Sequence, residues 1–372
     1  MPQKSQQNAS SKEMMPTYHL EDHPLIDIAF NLSDHMYKGI YNFSPPAKHP
    51  EDHLTVLKRA WQHFHVKGFM LTSVSEESAR ESLALVREYG CLDLVGEHKS
   101  QQESKVPSKH LRCTVGVHPT HCCEFLKNPP KDSDEEQSEP EFTIDEEYAS
   151  AHLHKLLDLA LQGQKEGIVA AVGEIGLDYA RTKFCPKEVQ QQFFVRQLEE
   201  LGGKTGLPFF LHNRDSFEDM YSILKDHSDL ISQNGAVIHS FDGTVEEMLA
   251  FCKLDNVFIG INGCSLKTEE NLAVVKALPL ERLMLETDAP WCQVKNSYAG
   301  SKFIKTSIPT INRKDKYTLE CGKMVKGRNE PCTLIQVAEI VAGVQETQVE
   351  LVAKYAYANT VKLFFKHLRV SS

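Results

Sequence analysis

The sequence predicts a single enlarged (β/α)₈ barrel, and three observations support this fold class. The chain has 372 residues, more than the roughly 250 typical of one such barrel but few for two large domains. Hydrophobic residues make up 41% of the chain and charged residues 25%, which is the composition of a globular protein that buries a core. Short apolar runs alternate with segments of helical period, a pattern typical of parallel strands joined by helices.

Eight apolar, β-rich runs follow one another and predict the barrel strands. They lie at Leu25–Phe30, Val66–Val74, Leu111–Val117, Ile168–Glu174, Leu207–His212, Ala236–His239, Asn256–Ile261 and Arg282–Glu286. Between the first two runs, large apolar side chains recur at helical spacing: Leu54, Leu57, Trp61 and Phe64. This spacing predicts an amphipathic helix, so that the repeating unit is a strand followed by a helix.

Capping residues predict where some of the helices begin and end. After the second strand, Ser73 and Glu76 can form a capping box, and Gly90 can end the helix that follows. Thr244 and Glu247 offer the same box after the sixth strand. Both signals place a helix directly after a strand, as the barrel requires.

Composition also predicts the domain organisation. We expect residues 1–20 to form a flexible N-terminal tail and residues 21–368 to form the barrel domain. An acidic, Pro-bearing insertion at about 127–147 predicts a solvated or disordered surface loop, and Gly96–His110 predicts a smaller insertion. After the eighth strand, Trp291–Glu330 forms a long loop, and long loops at this face of a barrel tend to be functional.

Charge and cysteine content narrow the functional class. The net charge of −10 argues against a broad binding surface for duplex DNA, so any nucleic acid must be held locally, as metal ions can do within an acidic protein. No apolar run approaches the roughly 18 residues of a membrane span, and no secretory signal is evident. We therefore expect an intracellular protein, cytoplasmic or nuclear, without a membrane segment. The ten cysteines have irregular spacing, which predicts reduced thiols and no disulfide framework. No protein partner is predicted.

Polar side chains end four of the predicted strands, where barrel enzymes carry their chemistry. These side chains are Glu174, His212, His239 and Asp288. Each has an ordinary structural explanation when taken alone, but four of them at four strand ends predict one metal site. The mixed oxygen and nitrogen set suits Mg²⁺, Mn²⁺ or Zn²⁺, and a bridging carboxylate can hold two ions roughly 3.5–4 Å apart.

The blocks around these residues occur in a fixed order. They read Gly-Glu174-Ile-Gly-Leu-Asp178-Tyr, His212-x-Arg214-Asp215, His239-Ser-Phe-x-Gly243-Thr and Glu286-Thr-Asp288-Ala-Pro-Trp. Further blocks are Asp27-Ile-Ala-Phe-Asn31-Leu, Gly116-Val-His118-Pro and Arg328-Asn-Glu-Pro, with Asn359-Thr near the end. From about Ile26 to Phe365, apart from the two insertions, the sequence resembles the TatD-type deoxyribonucleases.

The resemblance implies a divalent-metal hydrolase with 3′-to-5′ exonuclease action on DNA, with single strands or 3′ ends as the substrate. It matches the four strand-end residues to the family's metal-site positions. A metal-activated water would then attack the phosphorus, with Glu174 bridging the ions and Asp288 binding a metal or accepting the water's proton. His118 and Arg214 are candidate contacts to the substrate phosphate, although pairing with Asp215 is the plainer interpretation of Arg214.

One departure and two rival interpretations accompany this hypothesis. Many relatives begin with Asp-x-His-x-His, whereas Ala29 and Asn31 stand at these positions here, and fewer nitrogen ligands favour a harder ion such as Mg²⁺. The first rival is a hydrolase of another ester or amide on the same metal site, which the reaction product would distinguish. The second is a non-catalytic interaction protein that uses the acidic insertion, and the intact four-residue set speaks against it.

Overall fold

Eight parallel strands form one barrel in the computed structural model, which describes residues 17–90, 110–129 and 142–366. The strands are β1 (Leu25–Phe30), β2 (Val66–Leu71), β3 (Leu111–Val115), β4 (Val169–Asp178), β5 (Phe209–Arg214), β6 (Ala236–His239), β7 (Val257–Ile261) and β8 (Leu283–Leu285). They pair in sequence order from β1 to β8. A parallel bridge between Phe30 and Ala289 joins the two ends of the sheet. The predicted (β/α)₈ fold is therefore confirmed.

Helices connect the strands along the outside of the barrel. They are α1 (His53–His63), α2 (Glu76–Tyr89), α3 (Glu146–Lys165), α4 (Lys187–Arg196), α5 (Gly203–Thr205), α6 (Phe217–Asp226), α7 (Ser228–Asn234), α8 (Val245–Cys252), α9 (Glu269–Ala277), α10 (Leu334–Val344) and α11 (Val349–Leu363). A π-helical segment, Gln197–Gly202, makes α4 and α5 continuous. None of the helices in the described ranges is long and apolar enough to cross a lipid bilayer.

One predicted helix start was wrong. The capping box of α2 is formed by Ser75 and Ser78, not by Ser73 and Glu76. Ser73 is instead bound to the neighbouring strand, because its hydroxyl donates to the carbonyl of Thr114 at 2.9 Å. The expected end at Gly90 and the capping box of Thr244 with Glu247 are both confirmed.

The interior of the barrel is filled by alternate strand residues. This cluster includes Ile28, Met70, Phe210, Val237, Phe258 and Met284, and side chains at the end of α11 pack against it. The Phe210 ring centroid lies 4.7 Å from that of His239, so the apolar interior forms a floor directly beneath the polar mouth. A polar group in this mouth is therefore shielded from solvent on its lower side.

The long loop after β8 is anchored by buried charges. Arg328 donates to both carboxylate oxygens of Asp52, at 2.8 and 2.6 Å, and to Glu330 at 2.8 Å. Arg59 pairs with the second oxygen of Glu330. Within this loop β9 (Thr310–Ile311) and β10 (Met324–Val325) pair, a small sheet that the sequence patterns did not predict. The loop is thus a folded element that packs on the loop after β1.

Several expectations fall largely outside the described residues. These are the tail at 1–20, the insertion at Gly96–His110 and most of the acidic insertion, although α3 already begins at Glu146. Nine of the cysteines lie in the described ranges, and all nine are free thiols. Two of them, Cys264 and Cys292, have their sulfur atoms 3.0 Å apart.

Candidate metal centre

Strand β4 supplies two carboxylates to the mouth of the barrel. Its pairing with β5 shifts register between Val172 and Ile175. At Gly176, φ is +140° and a Cβ atom would lie 2.1 Å from the carbonyl oxygen of His212. Only glycine permits this close approach of the two backbones. The glycine therefore allows β4 to pack directly against the backbone of His212.

Three predicted ligands converge at one carboxylate oxygen. Glu174 Oε1 lies 2.8 Å from His212 Nδ1 and 2.7 Å from His239 Nε2, and these two nitrogens are 3.3 Å apart. All three residues come from the carboxyl-terminal halves of neighbouring strands, β4, β5 and β6. The structure therefore brings Glu174, His212 and His239 together as one group that could hold a metal ion.

A further carboxylate stands behind each of the two imidazoles. Asp178 Oδ2 lies 3.3 Å from His212 Nε2, and Glu286 Oε1 lies 3.6 Å from His239 Nδ1. Carboxylates in this position fix the tautomer and orientation of a metal-binding histidine. The sequence analysis gives neither residue a role, although both lie in the sequence blocks that contain Glu174 and Asp288.

Asp288 is close enough to this group for the charges of His239 and Glu174 to affect its pKa, and both of its carboxylate oxygens are engaged. Asn31 donates to Oδ1 at 3.0 Å, and the thiol of Cys292 donates to Oδ2 at 3.2 Å. Asn31 is one of the two positions that depart from the histidine pattern, and its amide also donates to the carbonyl of Ala289 at 3.2 Å. The asparagine therefore holds the Asp288 turn in place.

His118 points its Nε2 atom at the same carboxylate, 3.5 Å from Glu174 Oε1. Its Nδ1 atom accepts the backbone N–H of Thr120 at 3.1 Å, so the proton of the neutral ring lies on Nε2. Burial, together with the nearby charge of His212, lowers the pKa of His118 to about 3. His118 is therefore a neutral hydrogen-bond donor directed into the mouth.

Arg214 has a different environment from the other predicted residues. It lies at the end of β5 and is partly exposed. Within the described parts of the chain it has neither a hydrogen bond nor an ion pair, so the expected pairing with Asp215 is absent there. Its charge lowers the pKa of Asp242, which burial raises. Arg214 therefore lies next to a cleft of about 560 Å³ beside the mouth, which Asp215 and Asp242 line.

The buried charges at the mouth support one another. Burial raises the pKa of Glu174, but the charge of His239 and the hydrogen bonds from His212 and His239 outweigh this and hold it well below its usual value. Burial lowers the pKa of His239, and the charges of Glu174 and Glu286 outweigh it, so that this pKa is raised. The pKa of His212 is raised by its bonds to Asp178 and Glu174 against the effect of burial. The carboxylates around the two imidazoles thus favour the protonated form of both rings.

These atoms fit a divalent cation. Two imidazole nitrogens and one carboxylate oxygen face each other in a buried space, and a cation there would replace the protons that now separate them. In addition, Asp178 Oδ1, His239 Nδ1 and Glu286 Oε2 are buried without a hydrogen-bond partner in the described structure. Glu174, His212 and His239 offer one carboxylate and two imidazoles and no thiolate. This donor set suits Mg²⁺, Mn²⁺ or Zn²⁺.

Comparison with known proteins gives one consistent family. The family model described as TatD related DNase matches residues 26–365. The "Deoxyribonuclease Tat-D" of Schizosaccharomyces pombe is 37% identical over 340 residues, which cover 91% of this chain and 95% of that protein. The "3'-5' ssDNA/RNA exonuclease TatD" of Escherichia coli (strain K12) is 34% identical over 198 residues, covering 52% of this chain and 64% of that protein. The crystal structure of "an uncharacterized amidohydrolase from Saccharomyces cerevisiae" has a TM-score of 0.78 at 32% identity, covering 92% of this chain and 99% of that one.

Proposed function

This chain belongs to the family of TatD related DNases, and on that premise we propose that it is a divalent-metal nuclease that removes nucleotides from the 3′ ends of single-stranded DNA. The observation that carries the proposal is the convergence of Glu174, His212 and His239 at the carboxyl-terminal mouth of the barrel. Barrel enzymes place their active sites at this mouth.

Glu174, His212 and His239 are the proposed ligands of one ion. Asp288 is the fourth proposed ligand, and Glu174 and Asp288 are the carboxylates that would hold a second ion. A bound divalent cation supplies Lewis acidity, which polarises a phosphodiester and lowers the pKa of water. We assign Mg²⁺ or Mn²⁺ as the working ion, because two of the four proposed ligands are carboxylates.

Asp178 and Glu286 are proposed as positioning residues. Asp178 holds the ring of His212 from its Nε2 side, which leaves Nδ1 directed at Glu174. Glu286 is itself fixed, since its Oε1 atom accepts the backbone N–H of Ser240 at 2.5 Å and the amide of Asn262 at 3.1 Å. A carboxylate fixed in this way orients His239 without moving toward the site.

Asp288 and His118 are proposed to act on the substrate. Burial raises the pKa of Asp288 to about 6, against the opposing charge of His239, and a base with a pKa close to neutrality is suited to accept a proton from water. The Nε2–H group of His118 can donate to a phosphate oxygen, because its other nitrogen is held by Thr120. Arg214, beside the mouth, is a candidate for contact with a more distant phosphate.

The test is cleavage of a 5′-labelled single-stranded oligonucleotide whose products are resolved by length. The metal-depleted protein is expected to be inactive, and Mg²⁺ or Mn²⁺ is expected to restore a ladder that shortens from the 3′ end. Glu174→Ala should abolish the ladder, while Glu188→Ala, an exposed change on α4, serves as the matched control. Full activity in excess chelator would contradict the metal role. Hydrolysis of carboxylic esters or amides without any DNA cleavage would contradict the substrate.

A further inference from the structure

The loop after β8 carries a charge opposite to that of the protein as a whole. The complete chain has 41 Lys and Arg residues against 51 Asp and Glu residues. Between Trp291 and Gly327 there are eight basic residues and only two acidic ones. The basic residues are Lys295, Lys302, Lys305, Arg313, Lys314, Lys316, Lys323 and Lys326. The cationic charge is thus concentrated in the segment that follows Asp288.

Most of these cations are available to an anion. Seven of the eight are exposed, and Lys314 is half-buried. Lys302 pairs with Glu269 and Arg313 with Asp315, whereas the other six form no ion pair in the described part of the chain. Cations of this kind on a folded loop attract a polyanion without first having to break an ion pair.

The same loop begins with an exposed aromatic ring on a fixed backbone. The side chain of Trp291 is 53% exposed. Its backbone N–H donates to the carbonyl of Asp288 at 2.9 Å, and its carbonyl accepts the amide of Asn329 at 2.8 Å. An indole ring held in solvent by a rigid backbone, three residues from Asp288, offers a flat surface next to the site.

A second exposed ring stands on the loop after β1. Phe43 is 81% exposed at the tip of a turn in which Ser44 N–H donates to the carbonyl of Tyr41 at 3.1 Å. Asn42 and Phe43 have φ of 54° and 51°, values that favour glycine or asparagine and are unfavourable for a bulky residue. A strained backbone that presents an apolar ring to water indicates a functional role for the ring.

Several contacts join the loop after β1 to the basic loop. The ammonium of Lys314 lies 3.3 Å from the ring centroid of Tyr41, two residues from Phe43. Tyr41 also packs in one cluster with Tyr317 and Val325 of the basic loop. At the base of the loops, Asn31 bonds to Asp288. The turn that carries Phe43 therefore packs against the basic loop, and both loops start at the junction of β1 and β8.

We propose that Phe43, Trp291 and the basic loop from Lys295 to Lys326 form a binding track for single-stranded nucleic acid that leads to the metal centre. Bases stack on the two rings, and phosphates lie against the cations. The track takes a single strand because aromatic rings stack on bases that are unpaired and unstacked. This inference rests on the proposed nuclease function and assigns residues outside the metal centre to binding of its single-stranded substrate.

Binding is tested by fluorescence anisotropy with a fluorescein-labelled 12-nucleotide single strand and with the corresponding duplex. The full-length protein is kept in chelator so that the strand is bound but not cleaved. Trp291→Ala should weaken single-strand binding about 5- to 150-fold, the range for removing the stacking of one base. Phe43→Asn should weaken binding comparably without lowering the melting temperature, because asparagine tolerates a positive φ. Duplex binding should change less than single-strand binding in both variants.

The electrostatic part of the track is tested through salt dependence. Replacing Arg313, Lys316, Lys323 and Lys326 by Gln should flatten the slope of log affinity against log salt by about 0.7 for each phosphate that the variant no longer neutralises. The control replaces Lys165, Lys204, Lys225 and Lys253 by Gln, an equal change of charge on exposed residues outside the loops that carry the track. That control should leave the slope unchanged.

The outcomes separate the track from the nuclease function. If the parent protein cleaves single-stranded DNA with Mn²⁺ but the track variants bind as tightly as the control variant, the track is wrong and the nuclease proposal stands. If the parent cleaves neither DNA nor bis(p-nitrophenyl) phosphate, the nuclease proposal fails, whatever the anisotropy shows. Equal weakening by the track and control variants would also overturn the track.

Discussion

Asp178 contacts His212 on the side of the imidazole ring that faces away from Glu174, with Oδ2 3.3 Å from Nε2. Burial raises the pKa of Asp178, and the bond from His212 outweighs it, so that this carboxyl is ionised. The contact gives the neutral form of His212 a defined tautomer for metal binding, because it keeps the proton on Nε2 and leaves Nδ1 with the lone pair that a metal ion needs.

Asp178→Asn should therefore lower metal affinity by about 10- to 100-fold while leaving the barrel folded, as is typical for a carboxylate behind a metal-binding histidine. Titration with Mn²⁺ and the melting temperature measure the two effects. Asp158→Asn, an exposed change on α3, is the control. An unchanged Mn²⁺ affinity in Asp178→Asn would show that His212 needs no orientation from this residue.

Asp288→Asn separates a role in proton transfer from a structural one. Asparagine keeps the volume of the side chain and its bond from Asn31, but it lacks the basicity. If Asp288 accepts the proton of the attacking water, single-turnover cleavage should fall about 10²- to 10⁴-fold while DNA affinity is retained. Normal cleavage by this variant would reduce Asp288 to a turn residue.

Metal binding should displace protons from the two imidazoles. The pKa values of His212 and His239 are raised in the metal-free protein, so both rings hold a proton more tightly than an ordinary histidine does, and a metal ion must displace it. Apparent Mn²⁺ affinity should therefore rise with pH, by up to about tenfold per pH unit for each proton released. Calorimetry in two buffers with different heats of ionisation counts these protons. A pH-independent affinity with no proton release would contradict the assignment of these ligands.

Gly176→Ala should disturb both the fold and the site. The new Cβ atom would lie 2.1 Å from the carbonyl oxygen of His212, so β4 and β5 must separate where they carry Glu174 and His212. We expect a lower melting temperature together with weaker Mn²⁺ binding. Gly203→Ala is the matched control, because nothing lies within 4 Å of its new Cβ atom and alanine favours a helix. Equal melting temperatures for the two variants would contradict the close approach.

Arg328→Met should destabilise the protein by about 3–5 kcal/mol, because it leaves Asp52 and Glu330 as buried charges without their main partner. The control is Arg313→Met, which removes an exposed pair with Asp315 and should change the free energy of unfolding by about 0.5 kcal/mol or less. Urea unfolding measures both. A small effect at Arg328 would mean that Arg59 alone compensates the two carboxylates.

The sequence could predict the barrel because its strands are short apolar runs with clear ends. Six of the eight predicted strands match the observed bounds within two residues at each end, and the exceptions are informative. Strand β4 extends past Glu174 to Asp178, because the polar residues there still pair with β5 in the mouth. The second strand ends at Leu71, before the polar residues that lead into α2.

The site could be predicted only in part. Glu174, His212 and His239 end the predicted apolar runs of neighbouring strands, and this position is enough to propose them as ligands. The roles of Asp178 and Glu286 could not be predicted, because they depend on the strand register and on the orientation of the imidazole rings. The spacing of residues in the sequence determines neither the register nor the orientation. The burial of Arg328 could not be predicted either. An Arg-Asn-Glu block in a loop is expected to be exposed to solvent, and only the fold brings Asp52 and Arg59 into contact with it.

The closure of the barrel between Phe30 and Ala289 also has a consequence for biosynthesis. Asn31 and Asp288, which bond across this closure, are 257 residues apart in the chain. A growing polypeptide that has not yet reached β8 already contains Glu174, His212 and His239, but it lacks both Asp288 and the strand that closes the barrel. Since a ribosome makes the chain from its N terminus, the complete site exists only when synthesis has passed the eighth strand, and a truncated translation product would lack it.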